Sequence, residues 1–129
     1  MEETKIKALM IAPNERPRTV ELRRDLDSLQ KAVSIGAPDQ GLIEFVYLED
    51  NVSILCNEEG KLIGLAPNRR LGEDILCGVF YVVAENEDGE LISLTEEQLD
   101  HYSKLFWEPD VVCVDEIERT IIMQFLGRS

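Results

Sequence analysis

The sequence predicts an α+β fold: a mainly antiparallel sheet of hairpins, with two or three helices packed on one face. Three observations point there. Strand-length runs such as KIKALMIA (residues 5–12), LIEFVYL (42–48) and VSILC (52–56) are rich in apolar and β-branched types and are separated by turn residues. Two ten-residue segments, CNEEGKLIGL (56–65) and ENEDGELISL (85–94), are identical at six positions and read as hairpin turns. A third stretch, LTEEQLDHYSKLF (94–106), carries a complete helix start. At 129 residues the chain is the size of one domain, residues 1–129, and can close a single core.

The elements follow in order. Lys5 to Ala12 has the apolar content of a buried strand, and Pro13 and Pro17 bracket a loop. Thr19 to Leu22 returns as a short strand. In DLDSLQKAV, Asp25 is suited to cap a helix, and Leu26, Leu29 and Val33 recur at helical spacing up to about Ser34. A loop, IGAPDQG, precedes the strands Leu42 to Leu48 and Val52 to Cys56, joined at Glu49-Asp50-Asn51.

In each near-copy Asn, two acids and Gly divide one apolar run from the next. That pattern suits a type I turn closed by Gly at positive φ, with a strand such as Lys61 to Leu65 following it. The same turn chemistry used twice accounts for the likeness; two copies fall short of the three or more units of a repeat array. The longest apolar run, Ile75 to Ala84, reads as one strand.

Thr95 with Gln98 spells a capping box, and Leu94 with Leu99 a hydrophobic staple. Leu99, Tyr102, Leu105 and Phe106 share the face that must pack on the sheet. His101 falls on the opposite side and should meet water. Trp107 and Pro109 end that helix. Val111 to Val114 reads as a short strand. The tail from Asp115 reads as a helix capped by Asp115, stopped by Gly127, with Ile117, Ile121, Ile122 and Phe125 on one face; its Thr-Ile-Ile run also suits a strand. The tail, a C-terminal extension over residues 107–129, can pack on its own domain or on a second copy in a homodimer; filling a small core favours its own domain.

Charge narrows the function. The net is −13, unevenly spread: residues 1–24 carry six bases against four acids, whereas residues 73–118 carry fourteen acids and one base, Lys104. Direct nucleic-acid binding is disfavoured, because it rests on cationic contacts to phosphates. An acidic face serves solubility, docks a basic partner, or imitates DNA to occupy a nucleic-acid-binding protein. No apolar run reaches the roughly 18 residues of a membrane span, and the first residues lack a secretory pattern, so a cytoplasmic location is expected.

Cys56, Cys77 and Cys113 are widely spaced, odd in number and set in apolar runs, which reads as buried thiols, not a disulfide framework or zinc site. No phosphate loop, dinucleotide fingerprint or nucleophile elbow occurs, and a lone histidine excludes multi-histidine metal sites. We therefore expect no cofactor, no metal and no catalytic residues. The remaining candidate site is Asn68, Arg69 and Arg70 in APNRRLGED, read as a tight bend. Two guanidiniums splayed from a turn match carboxylate or phosphate oxygens. Three readings stand: internal ties to Glu73, Asp74 or other acids, a clamp for a nucleotide or other anion, or a hot spot for a protein partner.

The segment from Gly64 through Pro67-Asn68-Arg69-Arg70-Leu71, the apolar run with Gly78 and Phe80, the acidic turn, and Leu94-Thr95-Glu96-Glu97-Gln98 resembles a bacterial domain-of-unknown-function family of Gram-positive bacteria and their phages, plasmids and conjugative elements. The LQKAV and LIEFVYLED stretches also fit, and the resemblance spans about residues 5–106. It implies a small α+β domain in a mobile-element setting, with no established activity and no catalytic residue to carry over. Residues beyond Trp107 depart from the family pattern. The expected function is that of a non-enzymatic accessory or regulatory protein acting through a protein partner, with DNA mimicry as its sharper form; the alternative is a small anionic ligand at Asn68-Arg69-Arg70.

Overall fold

The computed structural model describes residues 4–127. Its two central strands explain the architecture. In β1 (Lys5–Ile11) Ile6 and Ala8 face one way and Leu9 and Ile11 the other, and all four are buried. In β7 (Phe80–Glu85) five consecutive residues, Phe80 to Ala84, are buried. Successive strand side chains point to opposite faces, so a sheet with such strands at its centre must be covered on both sides.

Among the described residues that sheet has six strands, and every pairing is antiparallel. The order is β2 (Arg18–Arg23), β1, β7, β4 (Val52–Asn57), β3 (Ile43–Glu49), with β8 (Leu91–Ile92) joined to β7. On one face α1 (Leu26–Val33) buries Leu29 and Val33 against Ile6, Ala8, Leu55, Tyr81 and Val83. On the other, α2 (Glu96–Leu105) brings Leu99 and Tyr102, with Phe106 just beyond it, onto Leu9, Ile54, Phe80 and Val82. Phe106 meets Phe80 edge to face at 5.4 Å between ring centroids. The α+β class with an antiparallel sheet is borne out; the helices are divided between its two faces instead of sharing one.

The helix starts are built as their residues dictate. Asp25 accepts from the Ser28 backbone N–H and from its hydroxyl, both at 2.9 Å. Thr95 and Gln98 close the capping box at 3.1 and 2.8 Å, and Leu94 and Leu99 are both buried. Two side chains expected inside, Leu26 and Leu105, are exposed, because short helices on a narrow sheet bury only the centre of their apolar stripe. His101 is exposed, as its helical position requires.

The two near-copies fold differently. The second forms the expected hairpin between β7 and β8: Asn86 Oδ1 accepts from Asp88 and Glu90 backbone N–H groups, and Gly89 takes φ +80°. The first does not. Residues 58–64 coil through successive turns, with Ile63 N–H donating to Glu59 and Leu65 N–H to Gly60, so Lys61 to Leu65 is no strand. Topology contributes to the difference: β4 is paired by β3 along its length and by β7 over Val52–Leu55, so only its last two residues, Cys56 and Asn57, keep an open side for a returning partner.

The long apolar run also divides. Gly78, at φ +84°, separates β6 (Asp74–Cys77) from β7. β6 pairs instead with β5 (Pro67–Leu71) in a separate two-stranded hairpin turning at Gly72. Val111 to Val114 is not a strand; Val114 already begins α3 (Val114–Gly127), and Asp115 lies in its first turn instead of capping it. The tail is thus a helix. Ile117 packs toward Leu65, Ile75 and Cys77. Ile122 and Phe125, expected on the same inward face, point outward.

Candidate functional site

Pro67-Asn68-Arg69-Arg70-Leu71 is a strand of the small hairpin, not a free bend. Its register shifts between Pro67 and Arg69: Pro67 pairs with Cys77 and Arg69 with Leu76, which leaves Asn68 as an extra residue. A bulge of this kind re-aims side chains. Here it turns two consecutive residues inward, Asn68 and Arg69, each only 1% exposed.

Both are bonded within the chain. Asn68 Nδ2 donates to the carbonyls of Ile11 and Gly78, each at 2.8 Å, stitching the hairpin to β1 and to the bend before β7. The Arg69 guanidinium donates from Nε to Phe106 O at 3.0 Å, from Nη1 to Asn68 Oδ1 at 2.7 Å and Asn68 O at 3.3 Å, and from Nη2 to Glu15 O. It ties the hairpin to the end of α2 and to the loop between β1 and β2. Burial pulls the guanidinium below its ordinary pKa, while the nearby charges of Asp110 and Glu108 act to hold its proton. No carboxylate touches Arg69 in that set; its partners are carbonyl and amide oxygens.

Arg70 faces the other way. Its backbone N–H donates to Asp110 Oδ2 at 2.7 Å, and Nη2 reaches Val111 O at 3.0 Å and Glu116 Oε2 at 2.6 Å. Arg70 is therefore the tie between the hairpin and α3. Beside it lies an open cavity of about 400 Å³ bordered by Arg70, Lys104, Trp107, Glu108 and Asp110. Arg16 stacks 4.5 Å above the Trp107 ring and lies 3.5 Å from Glu108. Glu73 and Asp74, the nearest acids in sequence, do not take these arginines; Asp74 pairs with Lys61.

A larger cleft, about 520 Å³, opens on the far side of the hairpin. The coil of residues 57–62, the β5–β6 hairpin and the inner face of α3 enclose it. Five carboxylates, from Glu44, Glu58, Glu59, Glu73 and Asp74, border it against one cation, Lys61, whose side chain is nearly buried and salt-bridged to Asp74. Its floor includes two thiols. Burial pushes Cys56 up to about 12, with Glu44 and Asp74 adding to the rise, and burial raises Cys77 as well. Both stay protonated and poorly nucleophilic at neutral pH. Cys113 is exposed, against the expectation of three buried thiols.

The sequence showed these acids as adjacent pairs and gave no sign that they converge. Convergence comes from the turns at 58–64, which bring Glu58 and Glu59 opposite Glu73 and Asp74. Among the described residues no group of three or more His, Cys, Asp or Glu side chains is arranged to hold a metal ion. No helix among them is long and apolar enough to cross a membrane.

The fold and these two cavities define a small α+β domain with its arginine corner turned inward and an acid-lined cleft turned outward. Residues 6–107 match the model of the family described as "Domain of unknown function (DUF3846)", and the chain belongs to that family. The match ends before α3, so the helix that walls the acidic cleft lies outside the matched residues. No curated protein and no solved structure matches the chain.

Proposed function

We propose that the protein works by binding a basic protein partner, as a non-catalytic accessory or regulatory factor of a phage, plasmid or related element. One observation carries this reading: the larger of the two clefts described above is bordered by five carboxylates, and its single cation is already neutralised by Asp74. Such a surface attracts lysine- and arginine-rich segments and repels phosphates, and the half-open, partly apolar cleft offers room for an extended basic side chain. The cytoplasmic and mobile-element setting belongs to the same proposal and rests on the sequence resemblance. DNA mimicry is its narrower form, in which the partner is a DNA-binding protein.

The test is capture of partners from a bacterial host by the wild-type chain and by a triple variant, Glu58→Gln, Glu59→Gln, Glu73→Gln, followed by binding of the purified partner across a salt series. The proposal expects affinity that falls steeply with salt and is lost in the variant. Equal, salt-insensitive binding by both chains would overturn it. DNA competing for the same partner would establish the mimicry form.

The second reading places an anion at Asn68-Arg69-Arg70. The cavity beside Arg70 and Lys104 favours it; the internal bonding of Arg69 opposes it. Thermal stabilisation by a mono-, di- or cyclic nucleotide, lost in Arg70→Ala, would favour it over the acidic cleft.

A further inference from the structure

We infer that the partner adds a strand to the open edge of β3, offering an extended segment in which lysine or arginine alternates with apolar residues. This rests on the basic-partner reading and specifies how that partner is held. β3 ends the sheet: among the described residues it pairs only with β4, in unbroken register from Ile43 to Tyr47. An edge strand directs every second N–H and C=O away from its neighbour, which is a template for a further strand. The opposite edge is blunted, because β2 follows Pro17 and carries Arg18, Glu21 and Arg23. β3, IEFVYLE, has no proline and no basic residue.

The two faces of β3 set the pattern of the added strand. Ile43, Phe45 and Tyr47 lie on the α1 side; Ile43 packs with the cluster around Leu29 and Val33, while Phe45 is 48% and Tyr47 69% exposed. Glu44 and Val46 lie on the α2 side, where Val46 packs on the cluster around Leu99 and Tyr102 and Glu44 borders the acidic cleft. Glu58 is held at the same end of the strand, its N–H donating to Leu42 O at 3.0 Å. Side chains of a neighbouring strand stand on the same two faces, with opposed Cβ atoms about 5 Å apart. One row of the added strand therefore covers the two exposed rings. The other row stands beside Glu44 at the mouth of the cleft.

Charge selects the occupant. Every charged residue of β3 and the turn after it is acidic: Glu44, Glu49 and Asp50. Pairing with a second copy, also of net charge −13, would gather two such sets on one short ladder. A segment bearing lysine or arginine meets opposite charge there instead. A wholly basic segment would leave Phe45 and Tyr47 uncovered, and a wholly apolar one would desolvate the acids without neutralising them. Alternation satisfies both faces at once. Backbone hydrogen bonds then supply affinity, and the two rows of side chains supply specificity.

The probe is a capped peptide of about seven residues, the length of a common strand, alternating lysine and valine. It is titrated into the full chain at low salt, with backbone amide exchange read by NMR; the control peptide has the same residues in two blocks, lysines then valines. The alternating peptide should bind about tenfold more tightly than the block peptide, since only it can pair along the strand and satisfy both faces. It should also slow exchange at every second amide from Ile43 to Tyr47, those directed away from β4. Tyr47→Lys, at an exposed site, should keep the circular dichroism of wild type and weaken the alternating peptide about three- to tenfold. Equal binding of the two peptides, or slowed exchange confined to residues 57–62 and 73–77, would overturn strand addition and leave the basic-partner reading of the cleft in place. Binding of neither peptide would overturn strand addition as well, while that broader reading is decided separately by partner capture with the triple glutamine variant.

Discussion

Replacing Arg69 with alanine separates a structural arginine from a ligand-binding one. The side chain donates to Phe106 O, Glu15 O and both oxygens of Asn68, joining the hairpin, the end of α2 and the loop after β1. Removing it strands at least two carbonyls at a buried site, each costing about 1–3 kcal/mol, so the expected loss is about 3–5 kcal/mol. That is a large part of the roughly 5–15 kcal/mol available to a domain of this size. Arg69→Lys should recover less than half, since one ammonium cannot span the same set of acceptors. Arg70→Ala removes a half-exposed pair with Glu116 and should cost about 1 kcal/mol or less. The assay is equilibrium urea unfolding at fixed ionic strength, with the slope checked for constancy. A charge kept for a ligand burdens the empty fold, and removing it leaves stability unchanged or raised. An Arg69→Ala chain within about 1 kcal/mol of wild type would therefore refute the scaffolding argument, as would equal losses at the two arginines.

Two further predictions test the turns and the caps. A methyl group at Gly60 would lie 2.5 Å from the Cys77 carbonyl oxygen, backbone against backbone, so Gly60→Ala should cost about 1–3 kcal/mol and lower the melting temperature by several degrees. Gly36→Ala, in open space at φ +85°, should lose only the left-handed conformational cost of about 1–2 kcal/mol; a Gly60 variant that melts with wild type would show that the coil at 57–62 yields freely. The Asp25 carboxyl is lowered from 3.8 to about 2, first by the Ser28 backbone N–H and next by the Ser28 hydroxyl. Because the folded value is depressed, its contribution is fully present above the unfolded value, near 4, and is lost as pH falls through about 2. A carboxyl NMR titration should place the midpoint near 2; a midpoint near 4 would mean the cap is not formed in solution.

What the sequence revealed and what it hid divide along a physical line. Features set by neighbours in the chain were legible: the Asp25 cap, the Thr95–Gln98 box, the Asn86–Gly89 turn, and most strand positions depend on contacts within a few residues. Features set by which edge or face remains open were not. The 56–65 segment shares six of ten residues with 85–94, yet only the latter pairs back: β7 keeps Val83 to Glu85 open beyond its pairing with β1, whereas β4 keeps only Cys56 and Asn57 open beyond its pairing with β7. The helices split between faces because both faces of β1 and β7 are apolar. That pattern is present in KIKALMI and FYVVAE, but a strand-by-strand scan treats it as simple hydrophobicity.

The arginine corner shows the same limit at the scale of a site. On a regular strand Asn68 and Arg69 would point to opposite sides, and one of them would meet solvent. The one-residue register shift between Pro67 and Arg69 removes that choice and sends both inward. A bulge is a property of a pair of strands, fixed here by where Cys77 and Leu76 sit across the hairpin, so five letters of one strand do not encode it. Arg70, one residue on, is turned out and becomes the clasp for α3 through Glu116. The corner thus couples the family domain to the helix that follows it. Loosening that clasp should free α3 from the acidic cleft while leaving the buried Asn68–Arg69 bonds in place, which makes Arg70→Ala the variant that opens the cleft without unfolding the domain. Faster backbone amide exchange confined to residues 114–127 would support this division of labour, and unchanged exchange there would refute it.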